Sequence, residues 1–375
     1  MVSALILTCA LLANLISAVW IKGKAFDRFA VIWLENTDYD LAIGDPSLAW
    51  LAKKGITLTN NFAVTHPSMP NYMAAISGDY YGTNHDDLTL IPSNVSTVID
   101  LLEEKGISWG EYQEDMPYTG FEGEEYKNQK TGANMYVRKH NPAVLYDSVA
   151  DQSVRLAKIK NLTQFNADLN ANTLPQWMFI TPNMTSDGHD TTVTVAGTWS
   201  RAFLEPLLAN KNLMNNTLVL VTFDENHTYT TQNRIVGILL GDSIPASLIG
   251  TTDDTYYNHY SEMASVQANW GLNTLGRWDV GANVFKHVAE QTGDTVRKWS
   301  NEVPFSSMFF NVSYAGPLNN KNTLKTWAAP TTNGTYAGRS VAPMVVSTWG
   351  HLVSNYSSSL ETPDGLHPDV GRTWM

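Results

Sequence analysis

The run Thr65-His66-Pro67-Ser68-Met69-Pro70-Asn71-Tyr72-Met73-Ala74-Ala75-Ile76-Ser77-Gly78 sets a hydroxyl where a helix should begin. Pro70 suits a first helical turn, where its missing N–H costs nothing. Tyr72, Met73 and Ile76 give the helix an apolar face, and Gly78 can stop it. Ser68 then stands at the entrance. Free N–H groups and the positive end of the helix dipole there favour an anion, either a seryl alkoxide or a phosphate. An inert N-cap accounts for the same serine equally well.

Two acidic pairs offer a partner for that hydroxyl. Glu35–Asn36 closes Val31-Ile32-Trp33-Leu34, and Asp224–Glu225 closes Val221-Thr222-Phe223. With the Ser68 oxygen these four side chains make an all-oxygen shell. Such a shell suits one hard divalent ion, Mg²⁺, Mn²⁺ or Ca²⁺, better than a thiolate-type zinc site. Without an ion the carboxylates would repel one another and resist ionisation. Taken pair by pair, solvated surface carboxylates are the simpler alternative. His189 lies in Asp187-Gly188-His189-Asp190 and His259 in Tyr257-Asn258-His259-Tyr260-Ser261. His66 and His85 flank the Ser68 helix, and His140 sits in Arg138-Lys139-His140-Asn141-Pro142. At mildly acidic pH imidazolium rings bind phosphate oxygens, and one can protonate a leaving alcohol. A lone histidine is more often structural, and His85 and His227 are read so.

These residues need a scaffold. Apolar runs at 29–34, 176–181, 218–223 and 235–240 read as buried parallel strands, with 107–112 a weaker fifth. Helical patterns at 47–54, 96–105, 148–156, 201–208 and 261–270 alternate with them, Ser96 capping one and Gly106 ending it. Alternation of this kind predicts an α/β sandwich on a central, mostly parallel sheet flanked by helices. Its active site belongs beyond the carboxyl ends of the strands, where the three polar clusters stand. After Val303 the composition turns to Thr, Asn, Gly and Ser. Stretches 323–328 and 341–346 there read as strands, so a β-rich C-terminal segment (306–375) is expected to pack on the catalytic domain (19–305).

The net charge of −12 over 375 residues argues against a nucleic-acid partner, because phosphate backbones need Lys and Arg. Residues 1–18 read as a signal peptide: an uncharged apolar run from Ala4 to Ile16, then Ser17–Ala18. A buried N-terminal helix is the alternative. No later stretch approaches about 18 uninterrupted apolar residues, so no membrane anchoring is expected. The one cysteine, Cys9, falls in the signal, which leaves the mature chain no disulfide and no thiol nucleophile. Sequons at Asn94, Asn161, Asn183, Asn215, Asn226, Asn311, Asn333 and Asn355 point to a secreted protein, extracellular or wall-associated, carrying N-linked glycans.

In this order the segments resemble the phosphoesterase family of fungal acid phosphatases and bacterial phospholipases C, within the alkaline-phosphatase superfamily. The resemblance runs from about Phe26 to Trp270, through Glu35–Asn36, His66 to Tyr72, Thr181-Pro182-Asn183 with His189–Asp190, Asp224–Glu225 and His259-Tyr260-Ser261. It implies an alkaline-phosphatase-like fold and a secreted acid phosphatase that hydrolyses small phosphate monoesters through a phosphoserine. Glu35, Asn36, Ser68, Asp224 and Glu225 would hold one divalent metal, zinc remaining among the candidates. Ser68 would be the nucleophile, with His189 and His259 catalytic. His66, Asn71, His140, Asn183 and Asp190 would contact substrate. Two-zinc superfamily members carry Asp, His and His where Asn183, His189 and His259 stand. The amide weakens a second site, although Asp187 or Asp190 could restore it. A phosphodiesterase or phospholipase C using the same machinery and a non-catalytic secreted glycoprotein are the rivals. A sulfatase is disfavoured because Ser68-Met69-Pro70-Asn71-Tyr72 lacks the Arg of its Cys/Ser-x-Pro-x-Arg context.

Overall fold

The computed structural model describes residues 20–296, 313 and 315–353. The signal sequence, Cys9, the sequons Asn311 and Asn355 and the boundary at 305/306 lie outside the described residues.

Alternation within one apolar strand sets the layers. In β1 (Arg28–Leu34), Phe29, Val31 and Trp33 enter one apolar cluster, and Ala30, Ile32 and Leu34 enter another. A strand buried on both faces needs helices on both faces, which is the α/β arrangement. The remaining strands are β2 (Ile56–Phe62), β3 (Trp109–Gln113), β4 (Glu125–Lys127), β5 (Asn134–Val137), β6 (Ile159–Asn161), β7 (Trp177–Thr181), β8 (Thr217–Phe223), β9 (Arg234–Leu240), β10 (Thr251–Asp253), β11 (Tyr257–Asn258), β12 (Thr335–Tyr336) and β13 (Arg339–Ser340). The main sheet runs β10-β2-β9-β8-β1-β7-β3-β6, and β11 extends the pairing of β2. β1 lies between β7 and β8, parallel to both. Their carboxyl ends therefore open side by side, as at the crevice of an open α/β sheet.

The expectation that 235–240 would be a parallel strand is corrected. β9 is antiparallel to both β8 and β2. A continuous apolar run reports burial and carries no direction, so the sequence left this open. Two antiparallel steps restore the sense, and β2 ends on the same side as β1. The sequence reading had no strand over β2, because Thr57, Thr59, Asn60 and Asn61 dilute its apolar positions. The polar stretch carries a register shift between Leu58 and Asn61. The helix placed at 201–208 spans Val193–Leu204, and the one at 148–156 is two short helices, Asp147–Ala150 and Ser153–Leu156. Thr97, rather than Ser96, caps the helix Val98–Glu104.

After residue 313 the strand expected at 341–346 is instead the start of a helix, Pro343–Trp349, with proline in its first turn. Strand in the described part of this segment is confined to the pair β12–β13, and 323–328 contributes one isolated bridge at Thr323. Ala329, Val341, Ala342, Val345 and Trp349 share the apolar cluster on one face of the sheet.

Candidate active site

The chain leaves β1 at Leu34 and β8 at Phe223, and the Asp224 N–H donates to Leu34 O at 3.0 Å. That bond sets the two strand ends together. Glu35, Asp224 and Glu225 are all fully buried there. Asn36 takes a left-handed φ of 26°, which short amide side chains tolerate. Its N–H donates to Asp224 Oδ1 at 3.2 Å. The side-chain Oδ1 of Asn36 and the Oδ2 of Asp224 are buried without a hydrogen-bond partner.

Ser68 comes from the other side. The helix Ser68–Ser77 starts shortly beyond β2 and is buried along its length. Pro67 occupies the cap position, and no side chain caps the helix from there. Ser68 is therefore the first helical residue and serves no capping role. Its Oγ lies 3.2 Å from Glu35 Oε2 and 3.3 Å from Glu225 Oε1. One turn on, the Tyr72 hydroxyl donates to Glu35 Oε1 at 2.5 Å. Ser68, Glu35 and Glu225 thus meet through side-chain oxygens, and Asn36 is joined to Asp224 at the adjoining strand ends, although the five residues come from three chain segments.

Four buried carboxyl groups crowd this space: Glu35, Asp187, Asp224 and Glu225. Burial pushes each above its usual range, and repulsion from Asp224 adds to the rise at Glu35, Asp187 and Glu225. A divalent cation would remove both costs. Asn36 Oδ1 and Asp224 Oδ2, buried hard oxygen donors without a hydrogen-bond partner, fit such an ion on the chemistry of the donor set. A second grouping, not foreseen in the sequence, joins Glu35 to His140 and His189. Their ligand atoms lie within 4.8 Å of one another, so this trio can also hold a metal.

The histidines divide. His140 is buried, with Nε2 3.4 Å from Glu35 Oε1 and Nδ1 3.7 Å from Asp187 Oδ2. Its ring stacks on Tyr72, and burial holds its pKa well below the ordinary value. His189 is half-buried at the opening, its Nδ1 2.8 Å from Asp190 Oδ1. His66 contacts Glu225 Oε2 through Nδ1 and stacks on Tyr229, and burial pulls its pKa down to about 4. His259 faces inward, its Nε2 2.6 Å from the Asp224 carbonyl oxygen and the residue only 1% exposed.

Two expected substrate contacts are otherwise engaged. Asn71 Oδ1 accepts from the Val64 and Thr65 N–H groups, and its Nδ2 donates to Thr65 O and Pro67 O. It shapes the loop before Ser68. Asn183 accepts from Thr185 and Ser186 and donates to Asp115 Oδ2 at 2.6 Å. Asp187 supplies the buried carboxylate on this side. Tyr72 was read only as apolar surface, although its i+4 spacing from Ser68 puts both on one helix face. The partners of Asp86 have no sequence signal: Asp86 accepts from Met69 N–H at 3.0 Å and from Lys139 Nζ at 2.7 Å.

The model of the Phosphoesterase family matches residues 41–273, which takes in Ser68, His140, His189, Asp224 and Glu225. A phosphate-repressible acid phosphatase of Penicillium chrysogenum is 53% identical over 344 residues, covering 92% of this chain and 82% of its own. An acid phosphatase of Aspergillus fumigatus is 50% identical over 347 residues, covering 92% and 77%. Among solved structures, a protein in the alkaline phosphatase superfamily from Vibrio parahaemolyticus aligns at a TM-score of 0.43 and 12% identity, over 64% of this chain and 65% of that one.

Proposed function

This chain belongs to the Phosphoesterase family, and from that premise we propose that it is a secreted acid phosphatase that hydrolyses small phosphate monoesters through a phosphoserine at residue 68. The observation that carries the reading is the Ser68 hydroxyl at a helix entrance, between Glu35 and Glu225, with Asn36 Oδ1 and Asp224 Oδ2 buried and unpartnered in the residues that adjoin those two acids in the chain.

Glu35, Asn36, Asp224, Glu225 and the Ser68 oxygen would hold one divalent cation. When bound, it would supply positive charge that lowers the cost of a seryl alkoxide and of charge on the phosphate. The Ser68 proton passes to a neighbouring carboxylate, Glu35 or Glu225. Ser68 Oγ then bonds to phosphorus as the ester P–O bond breaks in line. His189 gives a proton to the leaving oxygen, with Asp190 orienting its ring. A water oxygen next bonds to phosphorus, the Ser68 Oγ–P bond breaks, and His189 takes back a proton. Ser68 regains its own, and inorganic phosphate leaves. His140, buried beside Glu35, is assigned to an equatorial phosphate oxygen. In a two-ion variant of this reading, His140 and His189 with Glu35 would instead hold the second cation.

Rapid quenching in acid during turnover of a nitrophenyl phosphate, followed by peptide mass spectrometry, should find phosphate on Ser68. Phosphate elsewhere, or on no residue, counts against the mechanism. Parallel assays with a bis-nitrophenyl phosphate and phosphatidylcholine test the monoester preference. Either one hydrolysed faster overturns it. N-linked glycans belong to the reading at exposed Asn94, Asn215 and Asn333, but not at Asn183 or Asn226, which are buried. A glycopeptide map showing Asn183 occupied would remove that part.

A further inference from the structure

Glu262 is a buried carboxylate that the proposed chemistry does not use. It lies in the helix His259–Trp270, one turn after His259. Trp33 Nε1 sits 3.2 and 3.3 Å from its two oxygens, and its Oε1 is 3.7 Å from His259 Nδ1. The His259 ring packs against Trp33 at 4.3 Å between centroids. Trp33 precedes Glu35 by two residues on β1, and the far nitrogen of His259 meets the carbonyl of Asp224. A carbonyl only accepts, so His259 Nε2 must carry the proton of that bond. The ring is thus bonded through Nε2 to the main chain, faces a carboxylate at Nδ1 and packs on one face against Trp33.

We infer that Glu262 and His259 form a clamp that sets the β1 and β8 ends, and with them Glu35, Asn36, Asp224 and Glu225, at the spacing a cation needs. His259 is then a positioning residue rather than a proton donor. Outer partners that orient ligands typically change metal affinity by about 10–100-fold when removed. The helix end that carries His259 is itself fixed, because Asn258 caps it in a reciprocal box with Ser261.

The inference rests on the metal-assisted phosphatase reading, and its test separates the two. Mn²⁺ binding to the full-length protein is measured by calorimetric titration, alongside kcat and KM on nitrophenyl phosphate. His259→Ala should weaken Mn²⁺ about 10–100-fold and lower kcat more than it raises KM. His259→Gln, whose amide nitrogen can still donate to the Asp224 carbonyl, should stay within about threefold of wild type on both measures. Glu262→Gln should fall between them. A general acid predicts the opposite pattern, with Mn²⁺ affinity unchanged in His259→Ala and His259→Gln as inactive as His259→Ala. That result would overturn the clamp. A second measurement needs neither variants nor metal. With ¹⁵N-labelled histidine, the Nε2-bound proton of His259 should exchange slowly with water, and fast exchange overturns the clamp. If wild type binds no Mn²⁺ while that proton is protected, the metal reading fails, and what stands is a clamp that holds the β1 and β8 ends together without a cation to serve.

Discussion

The helix Ser68–Ser77 has buried acids at both ends, and the two ends are built to opposite rules. At the carboxyl end, Gly78 stops the helix at a φ of 75° and passes the chain to Asp79. Asp279 packs there and accepts from Leu275 N–H, Arg277 N–H and Gln267 Nε2 at 2.7–2.8 Å. Asp79 accepts from Tyr80 and Tyr81 N–H groups, with Arg277 at 3.8 Å. At the amino end, Asp224 and Asp187 each keep a buried oxygen with no partner, and the carboxyls raise one another. Burial of an acid is therefore no mark of function in this molecule. The mark is burial with hydrogen-bonding capacity left open and like charge left uncompensated, which a stable interior avoids unless a ligand completes it.

The largest effect expected from this contrast is at Ser68. Ser68→Ala should lower kcat by at least about a thousandfold, on the order of 4 kcal/mol of barrier, because the covalent route is lost. Its thermal melting point should stay within about two degrees of wild type, since Ser68 caps nothing and the lost bond is one neutral donor. Near-normal turnover on nitrophenyl phosphate would sink the nucleophile assignment.

The intermediate effect sets the two ends against each other. Asp224→Asn removes one of four crowded carboxyls, so the metal-free protein should gain about 1 kcal/mol or more in a urea melt while losing over about a hundredfold in kcat/KM. Asp279→Asn replaces an acceptor of three donors with an amide that orphans one, and should lose about 1–3 kcal/mol. Opposite signs in the two melts support the contrast. Loss of stability in both would mean that the amino end is an ordinary structural cluster.

Much of this was legible beforehand, and the limits are physical. Strands β1, β7 and β8 are continuous apolar runs, so both their existence and the placement of Glu35, Asn36, Asp224 and Glu225 at their ends could be read directly. The antiparallel sense of β9 could not, because strand direction lies in pairing partners and not in hydrophobicity. The helix entrance at Ser68 was legible from Pro70 and Gly78 around it. The inward turn of His259 was not, since a histidine at a helix start looks the same whether it meets a substrate or a carbonyl. The partners of Asn71 and Asn183 were not legible for the same reason: an amide in a motif can serve the loop's own N–H groups as readily as a ligand.

The smallest effect concerns Glu111, a buried acid on β3 that belongs to neither end of the helix. Its Oε1 accepts from Ala143 N–H at 3.1 Å, in the segment that follows His140, and its Oε2 has no partner. Burial pushes its pKa from 4.5 up to about 8. The folded protein therefore keeps this proton to higher pH than the unfolded chain does. Its stabilising contribution is complete below about pH 4.5 and is lost as pH rises towards 8, on the order of a few kcal/mol across that window. Glu111→Gln keeps the shape and the acceptor but cannot ionise. Urea midpoints at pH 4.5 should nearly coincide for variant and wild type, and at pH 8 the variant should be the more stable. Kinetics at pH 5 should be little changed, because Glu111 touches the site only through the backbone after His140. Parallel stability curves for the two proteins would show that Glu111 is ionised in the fold. Its open Oε2 would then be an ionised oxygen without crowding, and the like charges of Glu35, Asp187, Asp224 and Glu225 would be what sets the Ser68 cluster apart.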